Sequence, residues 1–291
     1  MIKIENEKLS VQIRETGGTL HSLRSLETKI EYLWQGDKAY WGGQAPNLFP
    51  FVGRLYKKSY TLNGKTYPMN IHGFLSHAEM AVEAQTAGTC TLLLADTPET
   101  QEYYPYAFEL RLIYRLLDDT LEIAFQVDNK SSETLYCGMG GHPGFNVPLE
   151  PGLTFEDYAM TFPELCAPEL VEFSPGVLCT QKRTPYPLEG GRSLPLRHSL
   201  FTFDAVVLAG APRQVTLASE KGTHGVTVSY PQMPYVGFWH KPNTDAPFIC
   251  VEPWSVLPGR EGIVEELSRM ADMTAVPAGE RFVNQWSIRA W

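Results

Sequence analysis

Phe108 to Asn129 reads FELRLIYRLLDDTLEIAFQVDN, and the class of the fold follows from this stretch. Two ten-residue runs flank Asp118-Asp119, a turn-forming pair. In the second run Leu121, Ile123, Phe125 and Val127 recur at every other position, so they face one way on an extended strand. The pattern predicts an antiparallel pair, Phe108–Leu117 and Thr120–Asn129, with one face in a core.

The same reading extends in both directions. Lys3 to Arg14 gives two strands around Asn6-Glu7-Lys8. Tyr60 to Tyr67 gives a hairpin turning at Asn63-Gly64, where both turn positions tolerate positive φ. Further strands are predicted at Met80–Gln85, Thr89–Ala95, Ala205–Leu208, Gln214–Ser219, Gly225–Tyr230, Tyr235–His240, Phe248–Glu252 and Arg281–Arg289. Gly262–Met270 is the one helical candidate, with Ile263, Val264, Leu267 and Met270 near helical spacing. The 22 prolines and 24 glycines are spread along the chain, as many turns in one large antiparallel β structure require. The proline-rich region from Pro148 to Pro195 has little periodicity and reads as long loops over a sandwich. With no repeat, low-complexity tract or charge block, residues 1–291 are expected to form one domain.

The 291 residues are 43% hydrophobic and 20% charged, with apolar mass for a substantial core. The net charge of −9 argues against a nucleic-acid partner, which would call for a basic surface, and leaves a neutral sugar open. Cys90, Cys137, Cys166, Cys179 and Cys250 are odd in number and show no metal-binding spacing, as expected for thiols in a reducing compartment. The N-terminal MIKIENEKLS lacks the apolar run of a signal peptide, and no stretch reaches the roughly 18 apolar residues of a membrane helix. The expectation is a cytoplasmic protein without a membrane partner.

Four segments carry chemistry beyond what turns and strands need. Ala45-Pro-Asn-Leu-Phe-Pro-Phe-Val-Gly-Arg54 ends an apolar run on an arginine, either a surface charge or a clamp for sugar hydroxyls. Asn70-Ile-His-Gly-Phe74 sets His72 beside a glycine, which fits a ring presented where backbone comes close; alone, this signal is weak. Gly138-Met-Gly-Gly-His-Pro-Gly-Phe-Asn146 surrounds His142 with glycines and a proline and is not expected to be a regular strand interior; a structural turn would need those glycines but not the imidazole. Phe248-Ile-Cys-Val-Glu-Pro-Trp254 ends an apolar strand on Glu252. A buried carboxylate there would have a raised pKa suited to a general base, whereas the bland alternative pairs it with an arginine.

Taken together and in order, the LFPFVGRL, HGF, GHPGFNVPL and VEPW segments resemble the aldose 1-epimerase (galactose mutarotase-like) family, in its short bacterial branch. The resemblance runs along essentially the whole chain. It implies a large antiparallel β-sandwich, the galactose mutarotase-like supersandwich, with the sugar on its concave face. It also implies interconversion of the α and β anomers of an aldose. Residue by residue, Glu252 would be the general base at the C1 hydroxyl and His142 the general acid at the ring oxygen. His72 would be the second histidine and Arg54 the binding arginine. Asp204, in Leu200-Phe-Thr-Phe-Asp204, would bind substrate within a looser motif. The GHPGFN segment departs from that of well-studied mutarotases, which leaves the sugar open.

Opening a hemiacetal removes a proton from O1 and adds one to the ring oxygen, so an acid and a base must converge on one carbon. No redox step or leaving group is involved, so the expectation is no cofactor and no metal. Trp239, Trp254, Phe145 and Phe74 are candidates to pack on the sugar's apolar face, with core packing as their alternative. Three rival readings remain. Two histidines and a glutamate also make a zinc set, though without HExxH or HxH spacing. A non-catalytic sugar-binding or sensor protein would use the same fold without needing an acid–base pair. A hexose-phosphate epimerase would want basic residues beyond Arg54, with Lys241 and Arg260 available.

Overall fold

The computed structural model describes residues 1–291 and is built almost wholly of antiparallel strands. The predicted pair forms as read: Phe108–Leu117 and Thr120–Asn129 run antiparallel in unbroken register. They lie inside a nine-stranded sheet with Arg281–Ala290, Gly225–Ser229 and Gln214–Ser219 on one side and Thr89–Ala95 and Ala81–Gln85 on the other. Leu121, Ile123, Phe125 and Val127 are fully buried. The opposite face carries charge, where Arg111 bridges Glu83, Glu109 and Asp128 at 2.7–3.0 Å.

The second large sheet has eight strands and includes Glu169–Phe173, Val206–Ala209, Tyr235–Trp239, Phe248–Trp254 and Gly144–Asn146. Its residues Val206, Leu208, Phe238, Ile249 and Val251 share a 64-residue core with the nine-stranded sheet. Its other face is apolar too: Val207, Ala209, Tyr235 and Trp254 belong to a separate buried cluster with Leu48, Val52, Val171, Cys179 and Val256. Val206–Ala209 and Phe248–Trp254 are therefore buried at every position. This is how a strand covered on both faces reads, with no polar alternation.

Both N-terminal strands, Ile2–Glu5 and Leu9–Ile13, and the Asn63-Gly64 hairpin form as expected; φ is +52° at Asn63 and +79° at Gly64. Two expectations need correction. Gly262–Met270 holds only a single 3₁₀ turn, Leu267–Arg269. Within it only the Arg269 and Met270 N–H groups bond back, to the Glu266 and Leu267 carbonyls, while the Glu265 carbonyl accepts the Thr61 N–H at 2.8 Å and Gly262 sits at φ +80°. The one α-helix is Pro98–Tyr103, opened by a reciprocal Thr97–Thr100 capping box with proline in its first turn. Likewise, Pro148–Pro195 is not merely loop. It supplies Tyr158–Thr161 and Ser193–Pro195 to the nine-stranded sheet and Glu169–Phe173 and Cys179–Pro185 to the other. All five cysteines are free thiols, and no helix is long and apolar enough to cross a membrane.

Candidate active site

Glu252 stands in the Phe248–Trp254 strand, with side chains 250, 252 and 254 on the face turned away from the shared core. On one side its cross-strand partner is Gly237. A Cβ at Gly237 would lie only 3.3 Å from the Trp254 ring and 3.5 Å from Glu252 Cβ, so the missing side chain keeps space open beside the carboxylate. On the other side Gly140 pairs with Trp254 and Gly144 with Cys250. That register sets His142 directly across from Glu252. The glycine-rich segment is thus two short strands, Gly140–Gly141 and Gly144–Asn146, interrupted at His142-Pro143. The sequence expectation excluded regular strand here; the chain instead pairs on either side of the histidine and breaks at it.

His142 Nε2 lies 3.3 Å from Glu252 Oε2. Neither His142 Nδ1 nor Glu252 Oε2 has a hydrogen-bond partner, though both are buried. Burial first, and the nearby Asp204 carboxylate second, push Glu252 well above the usual carboxylate range. Burial, reinforced by His72, holds His142 down to about 3. Both shifts favour the uncharged forms, so the resting pair is a protonated Glu252 beside a neutral His142, with no net charge.

His72 reaches the same place from a different segment. Its backbone is left-handed at φ +64°, followed by Gly73 at +76°, where a Cβ would come within 2.1 Å of the Phe49 carbonyl oxygen. His72 and Gly53 are bonded twice: the His72 N–H donates to the Gly53 carbonyl at 2.9 Å, and the Gly53 N–H donates to His72 Nδ1 at 3.1 Å. Because Nδ1 accepts, the proton of the neutral ring sits on Nε2. Burial, with Arg54 adding to it, lowers His72 to about 4, so the ring is neutral at ordinary pH. The His72 and His142 rings meet edge to face at 5.5 Å.

These groups open on a cavity of about 380 Å³ whose wall also includes Arg54, Asp204, Trp239, Lys241 and Trp254. Asp204 accepts the Ala205 N–H at 2.9 Å, and burial raises its pKa. Two expected residues lie elsewhere. Phe145 is fully buried and pairs with Ile249, on the core side of the sheet, because strand alternation turns it away from His142 and Glu252. Phe74 packs on Phe49, Tyr103 and Tyr104 and lines a different groove. Sequence reading missed Trp41, whose ring stacks on His142 with centroids 5.1 Å apart. The signal was Gly42-Gly43: a Cβ at Gly43 would lie 2.5 Å from the Trp41 ring, which folds back over it.

The donor atoms of His142, Cys250 and Glu252 fall within 4.8 Å of one another, the one cluster that bears on the zinc reading. Its chemistry fits a metal poorly. A metal-ligating histidine has its other nitrogen fixed by an acceptor, and His142 Nδ1 has none. Burial and Glu252 also hold the Cys250 thiol well above its ordinary value. Of the basic residues that a phosphate would require, Arg260 is bound to Glu265 at 2.6 Å and lines another cavity. Lys241 alone joins Arg54 on the wall.

Comparison with known proteins gives concordant results. A family model described as aldose 1-epimerase matches residues 1–278. Plasmid-encoded protein LacX of Lactococcus lactis subsp. lactis is 37% identical over 265 residues, covering 88% of each chain. A galactose mutarotase related enzyme from Lactobacillus acidophilus superimposes with a TM-score of 0.94 at 34% identity, covering 100% of this chain and 97% of that one. A galactose mutarotase-like protein from Lactobacillus casei gives 0.94 at 32%, covering both chains in full.

Proposed function

This chain belongs to the aldose 1-epimerase family, and we propose that it interconverts the α and β anomers of a neutral aldohexose by acid–base opening and closing of the ring. The observation that carries this reading is the His142–Glu252 pair: in register, 3.3 Å apart, with His142 Nδ1 and Glu252 Oε2 both unpartnered, on the wall of a cavity of sugar size.

The proton count is the key. Ring opening takes one proton from O1–H and gives one to the ring oxygen as the C1–O5 bond breaks and C1=O1 forms. A pair holding a single proton suffices, and none need come from water. With that proton on His142, Glu252 is the carboxylate base at O1 and His142 the acid at the ring oxygen. At 3.3 Å His142 Nε2 is close enough to take the resting proton of Glu252 once the two groups align on a bound sugar. After rotation about C1–C2, the same two transfers in reverse close the ring on the other face of the carbonyl. The His72 Nε2–H is a donor for the ring oxygen or an adjacent hydroxyl. Arg54 and Asp204 bind hydroxyls, while Trp41, Trp239 and Trp254 offer apolar surface to the pyranose.

The single added lysine favours a neutral sugar over a phosphorylated one. Polarimetry of freshly dissolved α-D-glucose, α-D-galactose and their 6-phosphates tests both points. Acceleration over buffer for a neutral hexose is expected, and none with any of the four would leave a sugar-binding protein without catalysis.

A further inference from the structure

His240 is fully buried, polar and untouched by the proposed chemistry, yet its neighbours on either side, Trp239 and Lys241, both line the sugar cavity. Its two nitrogens have assigned tasks. Nδ1 lies 2.7 Å from the Lys241 carbonyl oxygen, which can only accept, so Nδ1 carries the proton. Nε2 is then an acceptor, and at 3.1 Å it receives the proton of His198 Nδ1. Burial lowers His240 to about 4, so this acceptor persists at neutral pH.

His198 opens the 3₁₀ turn His198–Phe201, from which the chain passes through Thr202 and Phe203 to Asp204. Its ring stacks on Phe155, 4.1 Å between centroids at 17°, which fixes the ring plane. His240 is wedged against Phe155 and Phe201 at 5.5 and 4.5 Å. The strands Val206–Ala209 and Tyr235–Trp239 pair as far as Val206–Phe238; beyond that last rung the bond between imidazoles, with Asn243 Nδ2 donating to the Thr202 carbonyl at 3.3 Å, ties the segment bearing Asp204 to the segment bearing Trp239 and Lys241. The acid–base groups His72, His142 and Glu252 come from other segments.

We propose that His240, oriented by His198, is a positioning residue that sets sugar affinity by holding the Asp204 and Trp239–Lys241 walls of the cavity at a fixed separation. This rests on the epimerase reading of the cavity, so binding and turnover are measured separately. Dissociation constants come from tryptophan fluorescence titrated with D-galactose, and kcat and KM from polarimetry.

His240→Phe keeps an aromatic of similar volume but removes both hydrogen bonds, and His198→Leu removes the donor. Each should weaken D-galactose binding and raise KM about tenfold, the worth of one buried hydrogen bond. Turnover at saturation should stay within about twofold, since no transition-state contact is lost. His198→Asn is the informative rescue: its amide nitrogen occupies the place of Nδ1, and near-normal affinity is expected. The double variant should be no worse than either single one, because both cut the same link. Unchanged affinity in His240→Phe, or an Asn variant as impaired as the Leu variant, would overturn the proposal and leave the pair a packing element. If wild-type protein binds D-galactose without turnover, the epimerase reading fails, while the affinity comparison still decides the role of His240.

Discussion

The nine-stranded and eight-stranded sheets face each other across one core, yet they follow different rules. In the nine-stranded sheet one face is buried and the other carries charges such as the Arg111 cluster. In the central strands of the eight-stranded sheet both faces are covered, and the second face holds the cavity. The first sheet is a platform, where a polar residue is ordinary. In the second, a polar residue is costly unless it has a partner or a task. Glu252 and His142 are the residues that bear this cost, which is why chemistry is argued from them.

If that division is right, substitutions in the two sheets fail in different ways. The largest effects should come from Glu252→Gln and His142→Asn, each lowering turnover by roughly 10²–10⁴-fold through loss of a proton-transfer group. Thermal melting should show little loss of stability, because each removes a buried ionisable group without opening a void. A folded but weakened variant confirms the division, and near-normal turnover in either would refute the role given to that residue. Phe125→Ala, on the platform sheet, should do the reverse. It should cost about 3–5 kcal/mol in denaturant unfolding through cavity formation, with kcat per folded molecule unchanged.

The pH profile sharpens the contrast. His72 and His142 are depressed to about 4 and about 3, so neither gains a proton near neutrality. Relative kcat/KM should show no acid limb at the ordinary histidine value; loss should come only at lower pH, as Asp204, raised by burial, gains a proton and as protonating His72 Nδ1 near pH 4 breaks its bond from Gly53. An acid limb near the ordinary histidine value would contradict the burial of the site. The smallest effect is expected for Arg115→Ala, on the exposed face of the platform sheet, within about 0.5 kcal/mol in stability and with no change in activity.

The same contrast explains what could be read from sequence. Strands with one wet face announce themselves by alternation, and Thr89–Ala95, Phe108–Leu117, Thr120–Asn129 and Gln214–Ser219 form with the expected bounds. Strands at sheet edges do not: Cys179–Pro185 reads CTQKRTP and is mostly exposed, so no apolar period marks it. In the doubly covered sheet alternation vanishes, and with it the information about which way a side chain points. Glu252 was legible because a carboxylate interrupts an apolar run. Phe145 was misassigned because its neighbour His142 faces the cavity while it faces the core. Trp41 lies in an aperiodic loop, and its place over His142 is a tertiary fact with only a Gly-Gly pair to hint at it.

The central claim is that the row His142–Glu252 on the outer face of the eight-stranded sheet opens and closes a sugar ring. NMR saturation transfer between the α and β anomeric protons of D-galactose measures that step at equilibrium. Wild-type protein should raise the exchange rate in proportion to its concentration, and Glu252→Gln should return it to the buffer value. Exchange that is no faster with wild-type protein, or equally fast with Glu252→Gln, would contradict the account.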